Sequence, residues 1–305
     1  MRDTEQQLLK IIADMDGTPE GAYNIRANGV SAGRQSTATI EIKNKTDKPG
    51  IDIVIRPETK GETVHIPVII SESGMKETVF NDFYIGENAD VTILAGCGIH
   101  NCGDEESRHD GIHTFYVGKN AKIKYIERHY GDGDGLGGKN MNPTTVVHMD
   151  EGGEMEMETT QIKGIDSTYR VTKAVLGKDA KLVVREKLMT HGEQHAETEF
   201  TVDLNGENSA ANVVSRSVAK DVSTQIFRSN INGNNACYGH TECDAILMDK
   251  AQVRAIPEVN ANHLDATLIH EAAIGKIAGE QFIKLMTLGL TEKEAEQEIV
   301  NGFLK

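Results

Sequence analysis

Cys243 stands in the stretch His240-Thr241-Glu242-Cys243-Asp244-Ala245, and Leu268-Ile269-His270-Glu271 follows downstream. A thiolate, an imidazole and a carboxylate brought together form a soft-to-borderline donor set, suited to iron, zinc or an iron–sulfur cluster. The acidic neighbours Glu242 and Asp244 raise the thiol's affinity for its proton. That suits a ligand deprotonated by its metal better than a free nucleophile. His270-Glu271 opens a His-Glu-x-x-His zinc-protease pattern, but position 274 is Ile, and the protease reading fails. A second group, Gly96-Cys97-Gly98-Ile99-His100-Asn101-Cys102 followed by His109 and His113, offers two thiols and up to three imidazoles. It reads as a tetrahedral metal site or as a polar turn with one buried thiol, and its spacing matches no standard zinc module. A third group, His191-Gly192-Glu193-Gln194-His195 with Glu197, reads as a hydrophilic surface turn.

Missing motifs narrow the chemistry further. The sequence carries no Gly-x-x-x-x-Gly-Lys-Ser/Thr phosphate loop, no dinucleotide fingerprint between a strand and a helix, and no Gly-x-Ser-x-Gly elbow. The chain is therefore expected to hydrolyse no nucleotide, and any energy input must come from a partner.

The elements that position these residues announce themselves by repetition. Gly86-Glu87-Asn88-Ala89, Gly118-Lys119-Asn120-Ala121 and Gly177-Lys178-Asp179-Ala180 each precede apolar residues at every second position, with weaker copies at Gly152, Gly206 and Gly233. Gly, Asn and Asp tolerate the left-handed backbone of a tight turn, and period-2 alternation aims every second side chain at one face. Copies lie roughly 25–34 residues apart, shorter than propeller blades, which points to a mainly β chain built as a parallel β-solenoid. Gly131-Asp132-Gly133-Asp134-Gly135-Leu136-Gly137-Gly138 reads as a flexible loop leaving the coil.

Solenoid ends are sticky edges that need cover. Thr4 can cap a short helix with Leu8, Leu9, Ile11, Ile12 and Met15 on one side. At the other end Ala272 to Leu288 reads as helix, and Thr291-Glu292-Lys293-Glu294 as the capping box of a last helix reaching Leu304. The expected layout is a helical or extended segment over 1–34, a β core over 35–267 and a helical segment over 268–305.

The chain has 305 residues, 32 Lys plus Arg against 47 Asp plus Glu, and a net charge of −15. That balance argues against nucleic acid and anionic membranes as partners. No apolar run approaches the length of a membrane span. The acidic start Met1-Arg2-Asp3-Thr4-Glu5 is unlike a secretory signal, so the cytoplasm is expected. Four cysteines, Cys97, Cys102, Cys237 and Cys243, are too few for a disulfide framework.

The residues resemble the SufB/SufD core proteins of the SUF iron–sulfur cluster assembly system. Thr241-Glu242-Cys243-Asp244-Ala245 is similar to that family's Thr-Gln-Cys-Asp-Ser, and Leu268-Ile269-His270-Glu271-Ala272 to its Leu-Glu-His-Glu-Ala. Ile274-Gly275-Lys276-Ile277 with Glu280-Gln281, and Gly289-Leu290-Thr291-Glu292 through Phe303, continue the likeness. The resemblance implies a right-handed parallel β-helix whose C-terminal helices dock a SufC-like ABC ATPase. It implies a scaffold role without enzymatic activity of its own: a transient iron–sulfur cluster is assembled and passed to apo-proteins. Cys243 would accept sulfur and ligate the cluster, Glu271 would be the ligand carboxylate, and His270 the neighbouring histidine. Cys97 would stand at the start of a sulfur relay, with Cys102 and His113 as relay or secondary metal residues. The chain departs from the family at Ile269, at Ala95, and over Ile126-Glu127-Arg128-His129-Tyr130, where the family has Gln and Trp. Its short N-terminal part resembles the compact single-scaffold type, expected as a homodimer. The alternative is a structural SufD-like subunit that needs a SufB-like paralogue. A polysaccharide-acting β-helical enzyme is disfavoured by the 5% aromatic content.

Overall fold

A computed structural model describes residues 2–305. After α1 (Asp3–Ala13) come β1 (Ala22–Ala27), β2 (Val30–Gln35), β3 (Ile40–Asn44), β4 (Gly50–Ile55), β5 (Lys60–Ile70), β6 (Lys76–Ile85) and β7 (Asp90–His100). Then follow β8 (Ser107–Val117), β9 (Lys122–Asp132), β10 (Lys139–Met141), β11 (Thr144–Met149), β12 (Glu154–Lys163), β13 (Ser167–Leu176) and β14 (Lys181–Thr190). The chain closes with β15 (His195–Leu204), β16 (Ala210–Ala219), β17 (Thr224–Gly233), β18 (Cys237–Leu247), β19 (Gln252–Ala261), β20 (Ala266–Gly275), α2 (Gly279–Thr287) and α3 (Glu292–Phe303).

Successive strands alternate between two sheets, ordered β2-β1-β5-β7-β9-β12-β14-β16-β18-β20 and β19-β17-β15-β13-β10-β8-β6-β4-β3, with β11 beside β8 and β13. Pairing is parallel from rung to rung, and 32 residues separate the paired Cys97 and His129. The architecture is the expected β-solenoid, of about eight turns. The repeated turn phrase works as its residues require: Asn88, Asn120, Asp179 and Asn208 all adopt left-handed φ of 55–60°. The small residue after each, Ala89, Ala121, Ala180 and Ser209, is fully buried. Inward Val, Ile, Leu and Phe fill the space between the sheets, and Phe83 stacks on Phe115 at 4.4 Å.

Several local expectations are corrected. The first helix starts at Asp3, with Thr4 inside it; the Arg2 N–H donates to Glu5 Oε2 at 2.9 Å. Leu8 and Ile12 do not cover the end of the coil. They lie on its flank, over Gly96 and Gly98, where an added Cβ would stand 2.7 Å from the Ile12 carbonyl and 3.1 Å from Leu8 Cδ2. The antiparallel pairs β1–β2 and β3–β4 close the first end instead. The Gly131–Gly138 stretch does not leave the coil either. Gly135 N–H donates to the Asn101 carbonyl and Gly137 N–H to that of Gly103. Cβ atoms at Gly133, Gly135 and Gly137 would strike the 101–105 backbone at 2.3 Å or less, so glycine here permits stacking.

The expected helix from Ala272 is also displaced. β structure runs from Ala22 to Gly275, beyond the expected 35–267, because ten residues of β20 pair in register with β18 and overrule the helix propensity of Ala272 and Ala273. The last helix begins as expected: Thr291 Oγ1 accepts from the Glu294 N–H and Glu294 Oε2 accepts from the Thr291 N–H. Val300 and Leu304 pack α3 against Val218 on the flank. Neither C-terminal helix covers the final rung, so β19 and β20 each keep an edge without a strand partner among the described residues. No helix of the described residues is long and apolar enough to cross a membrane.

Candidate functional site

Parallel stacking turns strand positions into columns along the coil. One inward column runs Ala95, Glu127, Thr159, Glu186, Ser215, Cys243, Ala272. The next runs Val68, Cys97, His129, Gln161, Leu188, Ser217, Ala245. Cys97 and Cys243 thus face the same lumen, five strand spacings or ~24 Å apart. Between them the interior is polar where a solenoid core is ordinarily apolar.

Arg170, on β13 in the opposite sheet, reaches across this lumen. It donates to Glu127 Oε2, approaches Glu186 Oε1 at 3.7 Å, and its Nη2 lies 3.2 Å from His129 Nδ1. Tyr125 Oη donates to Glu127 Oε1 at 3.0 Å, and Ser215 Oγ and Thr198 Oγ1 donate to Glu186 at 2.7 and 3.0 Å. Burial raises the proton affinity of Glu127, but Arg170 and His129 override it and hold the carboxyl well below the usual range. One guanidinium cannot serve two carboxylates equally. At Glu186 burial wins and the carboxyl is pushed up. Burial lowers His129, and lowers His113 to about 4, so the His113 imidazole is neutral at pH 7.

Cys243 lies one rung above Ser215 and is 1% exposed. Burial, with the charges of Glu186 and Asp244, pushes its thiol up to about 12. His270 shares the inner face, opposite Thr241, and its buried Nδ1 has no hydrogen-bond partner among the described residues. Glu271 falls on the other face. Adjacent strand residues point to opposite sides, so Glu271 pairs with Glu242 on the outside, within 4.8 Å of the donor atoms of Glu242 and His240. His240 Nε2 stands 3.8 Å from Glu271 Oε2, and its Nδ1 donates to Asn212 Oδ1 at 2.9 Å. With Nδ1 engaged by Asn212, Nε2 is the ring nitrogen that faces the carboxylates and the one that could ligate a cation. His240, Glu242 and Glu271 are hard-to-borderline donors that could hold a divalent transition ion.

The remaining candidates separate. Cys97 and His113 line one internal cavity with Gly111, His109, Glu127 and His129. Burial, with Glu77 and Glu127, pushes the Cys97 thiol well up. His113 Nδ1 meets Tyr125 Oη at 2.8 Å. Cys102 is exposed, outside that cavity, beside His100. Cys237 packs in the core. His195 bonds Thr224 Oγ1 at 2.7 Å, and Glu197 accepts from Arg228, so the third group forms part of the outer strand surface. Glu127, Arg170 and Glu186 escaped the motif search, although each sits at an inward position of its alternating strand, where a charged residue is the signal.

The profile of the SUF system FeS cluster assembly SufBD core domain matches residues 70–303. An iron–sulfur cluster assembly SufBD family protein of Methanocaldococcus jannaschii is 31% identical over 271 residues, covering 87% of this chain and 84% of that protein. One of Archaeoglobus fulgidus is 30% identical over 250 residues, 80% of this chain and 66% of the relative. One of Methanothermobacter thermautotrophicus is 30% identical over 244 residues, 78% of this chain and 57% of the relative. The chain thus spans less than two thirds of the length of these last two relatives. A β-solenoid with two thiols on a polar lumen, a profile match over most of its length and relatives of the same description together establish that the chain belongs to the SufBD family of iron–sulfur cluster assembly proteins.

Proposed function

We propose that this chain is the scaffold on which a nascent iron–sulfur cluster is assembled before transfer to apo-proteins. The observation that carries the reading is the polar inner column that starts beside Cys97 and ends at Cys243, one rung below the open end of the coil. Sulfur would travel along the lumen to Cys243. Iron would be met there by His270 from inside and by Glu271 from the outer face, where His240 and Glu242 flank it. Glu271 would meet the thiol only on a shift of β20 against β18, and β20 is bonded along one edge only.

The uncovered rung, with Val259, Leu264 and Ile274 exposed, supports pairing with a second copy or a paralogue. Such pairing brings every donor in twice. On α2 and the residue that caps its C-terminus, Ile283, Met286 and Leu288 are 63%, 46% and 76% exposed and offer an apolar face to an ABC-type ATPase of the SufC kind. Closure of two ATPases would strain the junction and release the cluster, a two-state switch. Free thiols fit a reducing compartment, the cytoplasm.

Anaerobic reconstitution of wild type and Cys243→Ser tests the site. The wild type is expected to develop sulfide-to-iron charge-transfer absorption that the variant lacks, and equal spectra would remove Cys243. Subunit composition of the complex purified with its ATPase tests the assembly. A second β-solenoid chain in it would favour the structural-subunit role.

A further inference from the structure

The first end of the coil holds a cavity whose charge is opposite to that of the chain. It measures about 220 Å³ and lies where the β1–β2 and β3–β4 pairs close the lumen. Its polar lining is Asn24, Arg26, Ser31, Arg34, Asn44 and Asn81, with no carboxylate among the lining residues, in a chain that carries 47 Asp plus Glu and a net charge of −15. Strand register assembles it: Asn24 pairs with Arg34 and Arg26 with Ser31 across β1 and β2.

The two guanidiniums are both held in place, but only one is neutralised. Arg26 Nε donates to Glu77 Oε2 at 2.7 Å. Arg34 Nε donates to Asn24 Oδ1 at 2.8 Å and Arg34 Nη2 to Asn44 Oδ1 at 2.7 Å, and no carboxylate pairs with it among the described residues. Burial lowers the Arg34 pKa, with no acidic neighbour to offset the loss of water. A guanidinium only donates, so each amide must turn its oxygen to Arg34 and keep its NH2 group as a donor. Neither of those NH2 groups has a protein partner among the described residues, and the terminal nitrogens of Arg26 have none either. What this lining still has to offer is a set of donors with one uncompensated positive charge. The ligand that matches it is anionic and carries acceptors only.

We infer that this cavity binds a small tetrahedral oxyanion, free phosphate or sulfate or the phosphate of a monoester, held by the terminal nitrogens of Arg26 and Arg34 and the amides of Asn24 and Asn44. Bound there, the anion bridges β1 and β2, of one sheet, to β3, of the other, and ties shut the end of the coil where the strands run antiparallel. The site uses no thiol and lies at the opposite end of the coil from Cys243, so it stands apart from the assembly role above.

The test uses the full chain in low-chloride buffer near neutral pH, with inorganic phosphate as the probe in isothermal titration calorimetry. Wild type is expected to bind phosphate saturably, with sulfate competing and chloride competing far less. Arg34→Gln is expected to weaken binding on the order of 10-fold or more, and Arg34→Lys by less, since it keeps the charge and loses the planar fork. Phosphate should raise the melting temperature of wild type and leave that of Arg34→Gln where it was. Circular dichroism without phosphate establishes that Arg34→Gln is folded, and Arg34→Lys carries the comparison if it is not. Arg185→Gln, exposed on β14 far from the cavity, is expected to bind as wild type does. Glycerol 3-phosphate separates the sources: tighter binding than inorganic phosphate assigns the site to a monoester, weaker binding to the free ion. Unsaturable binding in wild type, equal affinity in wild type and Arg34→Gln, or an equal loss in Arg185→Gln overturns the assignment.

Discussion

Cys243 and Glu271 lie on neighbouring strands, one register step apart, yet on opposite faces of the same sheet. Cys243 pairs with Ala272, while Glu271 pairs with Glu242 on the outside. A thiol held inside and a carboxylate held outside form two half-sites, one facing the lumen and one facing solvent.

The inner half-site predicts a silent thiol. With Cys243 pushed up to about 12, its thiolate fraction at pH 7 is on the order of 10⁻⁵, and alkylation in the folded chain should be negligible until the pH is strongly alkaline. The unfolded chain releases this proton near ~8.5. The buried thiol therefore contributes stability that is full below that pH and is lost as pH rises toward about 12. Denaturation midpoints across this range should fall less steeply in Cys243→Ser.

Arg170 is the one guanidinium that both Glu127 and Glu186 face in the ion pairs described. Arg170→Met leaves two buried carboxylates without it and should cost roughly 3–5 kcal/mol, read by urea denaturation. Glu127 is held below its usual range, so its contribution is present above the unfolded value near ~4.3 and is lost as pH falls through the lower folded value. Wild type should lose stability with acid over that window, and Glu127→Gln should lose less.

On the outer half-site, His240→Ala and Glu242→Gln should each weaken anaerobic Co²⁺ binding, followed by d–d absorption, on the order of 10-fold or more. Asn212→Ala should weaken it less, through loss of the histidine's orientation. Cys243→Ser should leave it unchanged, since the thiol faces the lumen.

α1 sits on the flank because Gly96 and Gly98 leave room for it. Gly96→Val would thrust a side chain into the Ile12 backbone and should cost about 1–3 kcal/mol. Limited proteolysis is expected to cut between α1 and β1 sooner than in wild type.

Charging the exposed face of α2 should act on assembly and not on the fold. Ile283→Glu with Met286→Glu is expected to abolish copurification of the ATPase while the melting temperature moves little, because neither side chain is buried. Retained ATPase in this variant would place the partner elsewhere.

The order of turns and strands could be read along the chain, because the Gly-x-Asn/Asp-small phrase and period-2 alternation are local rules that each rung obeys by itself. The ends were read less well. Ala272 and Ala273 have helix-forming chemistry, but pairing with β18 is a long-range contact that local propensity does not contain. The glycine run looked like a free loop for the same reason: its stacking partner is 101–105, one full turn earlier.

Sequence by itself determined that this is a repeating turn-strand chain with Cys243, His270 and Glu271 in two recognisable stretches. Tertiary structure decided which of them share a face and what lies between the two inward thiols. Parity along a strand sets the side of each residue, but only the register between rungs brings Glu127, Arg170, Glu186 and Ser215 into one lumen, and Arg26, Arg34 and Asn44 into one cavity. Register is set by the packing of all turns together, and residues 27 to 32 apart become neighbours only when the coil closes.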